Sequence, residues 1–228
     1  MIATAMYGGI MINTNNILIV AAHLDDFEFG MGGTVSKLCR SGHDVKLVVL
    51  CKGDRPGNEY VAQSRRDTCK LNCVEIGIRH SELHDYSDTY LDRVSQTELC
   101  NIVYNSVNEW KPSIVYTHNS DDIHMDHRIV SNITRVACRM RDSNPVRTLY
   151  EYTIPGSTEW SQVPQSFNVY QDITDTASDK MEMLCRYTTE CKTPPDPCSL
   201  KMIETRDQYH GSLCGCSRAE IFKLVYSR

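Results

Sequence analysis

Two short segments hold most of the side chains able to do chemistry. One reads His23-Leu24-Asp25-Asp26 and is followed by Gly30, Gly32 and Gly33; the other reads His124-Met125-Asp126-His127. Both offer imidazole nitrogens and carboxylate oxygens, the donors that a catalytic Zn2+ takes. Two histidines and one carboxylate leave a position open for water, whose pKa such an ion lowers to about 7 while it polarises a carbonyl. Fe2+ or Co2+ would accept the same donors. The paired carboxylates Asp25 and Asp26 allow one to bind metal and the other to accept a proton. Each segment also has a plainer reading, since Asp-Asp can simply cap a helix and His-x-x-His can lie on a solvated helical face.

The surrounding pattern decides between these readings. Residues 16–22 are an uninterrupted apolar run, as expected of a parallel strand buried on both faces. The glycines after the first segment read as opening a helix that Gly42 closes, and residues 44–51 read as a second strand, completing a βαβ unit. The alternation continues with a helix over 60–76, a strand over 80–85 and a helix over 92–110. A strand over 113–118, a polar loop over 119–123, a helix over 128–140 and a strand over 148–153 follow. Helices over 175–189 and 200–210 and a strand over 220–226 complete the prediction. This order predicts an α/β fold with a Rossmann-like, doubly wound, mostly parallel sheet and helices on both faces. Sites in such sheets form beyond the carboxyl ends of the strands, and both segments fall there. Residues 1–15 read as a flexible tail and 16–228 as a single domain.

Other chemistries fit less well. Gly30-Met31-Gly32-Gly33 lacks the G-x-G-x-x-G spacing, and a pyrophosphate at that helix start would meet Asp25 and Asp26. No G-x-S-x-G nucleophile elbow is present. The chain has 228 residues and a net charge of −5, which gives no basic footprint for nucleic acid. No apolar run approaches the ~18 residues of a membrane span, and the N-terminus lacks the pattern of a secretory signal. Eleven cysteines, several inside apolar periodic segments, read as small hydrophobes of a reduced, cytoplasmic protein.

The stretch AAHLDDFEFGMGGT resembles the A-H-P-D-D-x-E-x-G-x-G-G-T signature of the LmbE/PIG-L family of zinc-dependent de-N-acetylases, and HMDH resembles its H-P-D-H segment. The resemblance implies that His23, Asp26 and His127 ligate the metal and that Asp25 is the general base. It further implies that His124 stabilises the oxyanion with Asp126 orienting it, and that Arg65, by its spacing to Gly77, holds substrate. Leu24 replaces the family's proline, which loosens the turn without removing a chemical group. The implied activity is hydrolysis of the acetamide of an N-acetylated amino sugar of the N-acetylglucosamine type. A thiol–sugar conjugate is an alternative substrate, and an inactive sugar-binding module an alternative function. The absence of an apolar span disfavours a phosphatidylinositol-linked substrate, and the family's habits suggest a homo-oligomer. Tyr152, Trp160 and Tyr170 are candidates to stack on a sugar ring or to pack in the core.

Overall fold

The computed structural model describes residues 3–7, 10–54, 59–161, 163 and 166–228. Where the sequence suggests a loose tail, β1 (Ala3–Tyr7) and β2 (Ile10–Thr14) pair antiparallel, with Ala3 opposite Thr14 and Tyr7 opposite Ile10. Residues 1, 2, 8 and 9 of that stretch lie outside the described residues.

The main body alternates strand and helix: β3 (Asn16–Ala21), α1 (Asp26–Arg40), β4 (Asp44–Cys51), α2 (Glu59–Ile76), β5 (His80–Tyr86), α3 (Gln96–Trp110), β6 (Ile114–His118), α4 (Met125–Ala137) and β7 (Thr148–Tyr152). Then come β8 (Val169–Asp172), α5 (Ala177–Cys185), α6 (Leu200–Cys214) and β9 (Ala219–Ser227). Seven strands form one sheet in the order β5-β4-β3-β6-β7-β9-β8. The five from β5 to β7 run parallel, and β9 is antiparallel to both β7 and β8. The chain therefore folds as a doubly wound, mostly parallel α/β sheet, and its strand order reverses between β3 and β6. A crevice opens at such a switch point because the connections leave it towards opposite faces.

The apolar run of β3 is continuous because both faces are covered. Ile17, Ile19 and Ala21 enter a core with Phe27 and Val35 of α1, Cys69 of α2 and Ile203 of α6. Leu18 and Val20 point the other way, into a core with Val103 of α3 and Ile133 of α4. Several helical boundaries differ from the sequence prediction. The helix expected over 92–110 is split, because Val94 is extended (φ −95°, ψ 143°) after a short 3-10 turn at Leu91–Arg93. The helix expected from residue 128 starts at Met125, with His124 as its cap.

The first motif's glycines do not open α1; they lie inside it. Met31 leaves helical geometry at φ −152°, and the freed N–H groups of Gly33 and Thr34 donate to the Glu220 carboxylate at 3.1 and 2.7 Å. Lys180 Nζ balances that buried carboxylate at 2.9 Å and also reaches Asp207 at 3.0 Å. The glycines allow close approach instead. A Cβ on Gly30 would sit 2.7 Å from the Tyr152 ring and 2.8 Å from the Thr153 carbonyl. Gly30→Ala is therefore expected to destabilise the fold by about 1–3 kcal/mol despite alanine's helical preference. An unchanged urea midpoint would overturn that account.

Candidate active site

β3 and β6 deliver their next residues to the same rim. His23 follows β3, His118 ends β6, and His124 caps the N-terminus of α4 with a side chain that accepts from Asp126 N–H at 3.2 Å. Asp25 and Asp26 stand at the start of α1. His23, Asp25, Asp26, His124 and His127 all line one cleft of about 610 Å3.

Three donors converge at its floor. His23 Nδ1 lies 3.4 Å from Asp26 Oδ2, His127 Nε2 lies 3.4 Å from Asp26 Oδ1, and the two imidazole nitrogens are 3.3 Å apart. A tetrahedral ion with N and O ligands at roughly 2.0–2.1 Å has donor–donor edges of about 3.3–3.4 Å. The triangle is thus the size a small divalent metal needs.

Each corner has its own support. Asp126 Oδ2 faces His23 Nε2 at 3.2 Å, which keeps the proton on Nε2 and turns the Nδ1 lone pair inward. Asp122 Oδ1 stands 3.2 Å from His127 Nδ1, an ion-pair approach that favours a proton on Nδ1 without an aligned hydrogen bond. His118, fully buried, places Nε2 at 3.0 Å from Asp26 Oδ2. Carboxylate–imidazole pairs of this kind orient metal ligands, and losing one typically weakens metal binding 10–100-fold. Asp122→Asn should accordingly weaken metal binding about 10–100-fold with the fold kept. Competition against a chelator of known affinity measures it, and an unchanged dissociation constant would refute the pairing.

The electrostatics agree with an ion-binding floor. Burial would raise the Asp26 pKa, but His118, His127 and His23 together hold it well below the usual carboxylate range. Burial would likewise lower His23, yet Asp26 and Asp126 outweigh it and raise that imidazole. His124 goes the other way: burial, then the neighbouring His127 and His23, lower it to about 4. Its Nδ1 already accepts from Asp126 N–H, so the neutral ring carries its proton on Nε2 as a donor. The ring stands 4.8 Å from His23 and 4.4 Å from His127, centroid to centroid.

Other donors also gather here. His118 sits close to Asp26 and His127, but its Nε2 is already surrounded, 3.0 Å from Asp26 Oδ2, 3.0 Å from Ala22 N and 3.1 Å from Tyr152 OH. Cys51 lies by His23 and Asp126, and burial lifts its thiol pKa to about 11. Neither offers a free lone pair to the centre as His23 and His127 do.

Two residues have partners that the sequence does not announce. Asp126 does not orient His124 with its carboxylate; that carboxylate serves His23 and accepts from Thr89 N–H at 2.7 Å, while only the Asp126 backbone meets His124. The side chain of a residue in a first helical turn is free to lean towards the preceding loop, which the spacing alone does not reveal. Arg65 lines the cleft and is engaged by neighbouring groups of the chain. It is 6% exposed, and its guanidinium reaches Asp25 Oδ1 at 3.0 Å, Asp88 Oδ2 and Gly53 O at 3.2 Å each, and Glu190 at 3.7 Å. It fixes Asp25 at the cleft wall. Burial raises the Asp25 pKa while Arg65 opposes the rise. The neighbouring Arg66 instead turns away to Asp85 at 2.8 Å.

His118, Asp122 and Tyr152 are site-supporting residues that the sequence reading passes over. His118 reads as a strand end, Asp122 as part of a polar loop, and Tyr152 as a stacking candidate. Tyr152 is fully buried, so it cannot stack on a ligand; it braces His118.

A family model described as GlcNAc-PI de-N-acetylase (PIG-L) matches residues 18–138 of the chain. The chain is 29% identical over 158 residues to the uncharacterized deacetylase YaiS of Escherichia coli K12, covering 66% of this chain and 80% of that protein. Its fold is similar to that of N,N′-diacetylchitobiose deacetylase from Pyrococcus horikoshii, with a TM-score of 0.73, 19% identity and coverage of 93% and 84% of the two chains. GalB, the 4-carboxy-2-hydroxymuconate hydratase of Pseudomonas putida KT2440, is similar at a TM-score of 0.73 and 15% identity, with coverage of 94% and 98%. A deacetylase and a hydratase on one fold show that the side chains of the site, not the fold, must carry the argument for the reaction.

Proposed function

The chain belongs to the GlcNAc-PI de-N-acetylase (PIG-L) family, and from that premise we propose that it is a metal-dependent hydrolase removing acetyl from an N-acetylated amino sugar. The observation that carries this reading is the triangle of His23 Nδ1, Asp26 and His127 Nε2, flanked by a carboxylate and a neutral imidazole. Those three residues would hold the ion, for which the donor set suits Zn2+, with Fe2+ or Co2+ as substitutes. When bound, the ion supplies the Lewis acidity that an unreactive acetamide and neutral water both require.

The chain's own residues do the rest. Asp25, held at Oδ1 by Arg65, accepts the proton of the attacking water and returns it to the departing amine. His124 Nε2–H donates to the developing oxyanion, a contribution of about 3–4 kcal/mol where such a donor is preorganised. Asp126 and Asp122 hold the two ligand imidazoles in the tautomer that leaves the inner nitrogens unprotonated.

No helix among the described residues is long and apolar enough to cross a membrane. All eleven cysteines are free thiols, four of them in the buried cores, and we place the protein in the cytoplasm on that basis. Acetate release from a panel of N-acetylated amino sugars, measured together with metal content, tests the function. Acetate from at least one of them is expected. A fully metal-loaded protein that releases none would leave a binding module in place of a hydrolase.

A further inference from the structure

Trp160 is 70% exposed on the rim of the catalytic cleft. The other tryptophan, Trp110, donates its indole N–H to Ile17 O at 3.2 Å and lies over the His80 ring. Trp160 has neither kind of partner among the described residues. The 3-10 turn that carries it, Thr158–Trp160, is nevertheless firmly held. Thr158 Oγ1 and Ser157 Oγ donate to Asp122 Oδ2 at 2.6 and 2.8 Å, and Glu159 pairs with Arg206 at 2.7 Å. Asp122 is the carboxylate that also faces His127. One side chain thus touches both a corner of the metal triangle and the turn bearing the indole, which ties the backbone of that turn to the reaction centre. A large aromatic surface left in water, on a rigid turn, at the mouth of a cleft is suited to stacking on the flat apolar face of a ring.

The cleft is also acidic. Among its described lining residues are six carboxylates against Arg65 and Lys192. Arg65 is engaged with three of the six, and Lys192 Nζ donates to Thr189 O at 2.7 Å. A divalent ion on the floor leaves the lining net negative. Asp54, Asp88 and Asp196 line the cleft outside the metal triangle, with Lys52 3.1 Å from Asp54 and Arg65 3.2 Å from Asp88. A phosphate ester brought there is repelled, and an uncharged or cationic group is not.

We propose that the cleft takes its N-acetyl sugar as the end unit of a glycoside whose neighbouring ring, uncharged or carrying a free amine, stacks on Trp160, and that it excludes sugars joined to a phosphate. The inference rests on the hydrolase reading for the end unit, but the platform itself can be read by binding alone.

The test compares N,N′-diacetylchitobiose, N-acetylglucosamine and N-acetylglucosamine 1-phosphate on the metal-loaded protein. Trp160→Ala should lower the ratio of disaccharide to monosaccharide kcat/KM about ten-fold, and Trp160→Phe should restore most of it. The 1-phosphate should be used at least about ten-fold less efficiently than the disaccharide. Calorimetry on the Asp25→Asn protein should show disaccharide binding that weakens about ten-fold when Trp160→Ala is added. Acetate release with an unmoved substrate ratio would overturn the platform and leave the hydrolase standing. Disaccharide binding that depends on Trp160 with no acetate released from any sugar would sustain the platform and remove the hydrolase. A 1-phosphate used as well as the disaccharide would overturn the exclusion of phosphate.

Discussion

Asp25→Asn is expected to lower kcat by about 10²–10⁴-fold while the protein keeps its metal and its ligand affinity. Asparagine has the same shape, and its Oδ1 still accepts the Arg65 hydrogen bond that measures 3.0 Å in the parent. The wall of the cleft therefore stays in place, and what is lost is the ability to take a proton. Asp25 and Asp26 are adjacent, yet the structure separates their surroundings. Asp25 faces Arg65, whereas Asp26 faces His23, His118 and His127. A variant that keeps a full equivalent of metal, binds the disaccharide within a few-fold of the parent and no longer turns over would match this division. Loss of the metal, or a kcat within a few-fold of the parent, would mean the two carboxylates have been given the wrong roles.

Asp26→Ala is expected to empty the metal site. The Asp26 carboxylate is the one anion shared by three imidazoles at 3.0–3.4 Å, and it is 4% exposed. Without it, two nitrogens 3.3 Å apart remain as a two-coordinate remnant that lacks an anionic ligand. His127→Ala should behave alike, because it removes another corner. Atomic emission should find background metal in both variants, with the far-ultraviolet spectrum unchanged since both side chains lie at the rim rather than in the apolar cores. A full equivalent of metal in either variant would refute the triangle. The contrast with Asp122→Asn is informative: removing a supporting group weakens binding, and removing a ligand abolishes it.

Much of this was legible in the residues, for stated reasons. The unbroken apolar run at residues 16–22 is diagnostic because a strand covered on both faces has no polar side to display, as the complete burial of Ile17 to Ala22 shows. The convergence of His23, Asp26, His124 and His127 follows once β3 and β6 are neighbours in a parallel sheet. What escaped depends on contacts between distant segments. β8 is a four-residue edge strand with half-exposed side chains, too short to show a period. The glycines of α1 look like a helix start, and only the approach of Tyr152 and Ile173 explains them as spacers. Asp122 reads as loop polarity until His127 and Thr158 are both beside it. Arg65 carries no sign in its own neighbourhood that Asp88 and Glu190 will surround it.

The bond between α1 and Glu220 bears on how the protein comes into being. The amides of Gly33 and Thr34 find their acceptor 187 and 186 residues later in the chain. At the usual pace of translation, roughly 10–40 s separate the emergence of the two partners from the ribosome. Throughout that interval the helix beginning at Asp26 has an unsatisfied kink, and β9 has not yet entered the sheet between β7 and β8. His23, Asp26 and His127 have all been made before the residue that closes the kink of α1. The kink inside α1, directly after the first motif, is thus satisfied only once residue 220 has been made, so that helix reaches its final form late in synthesis.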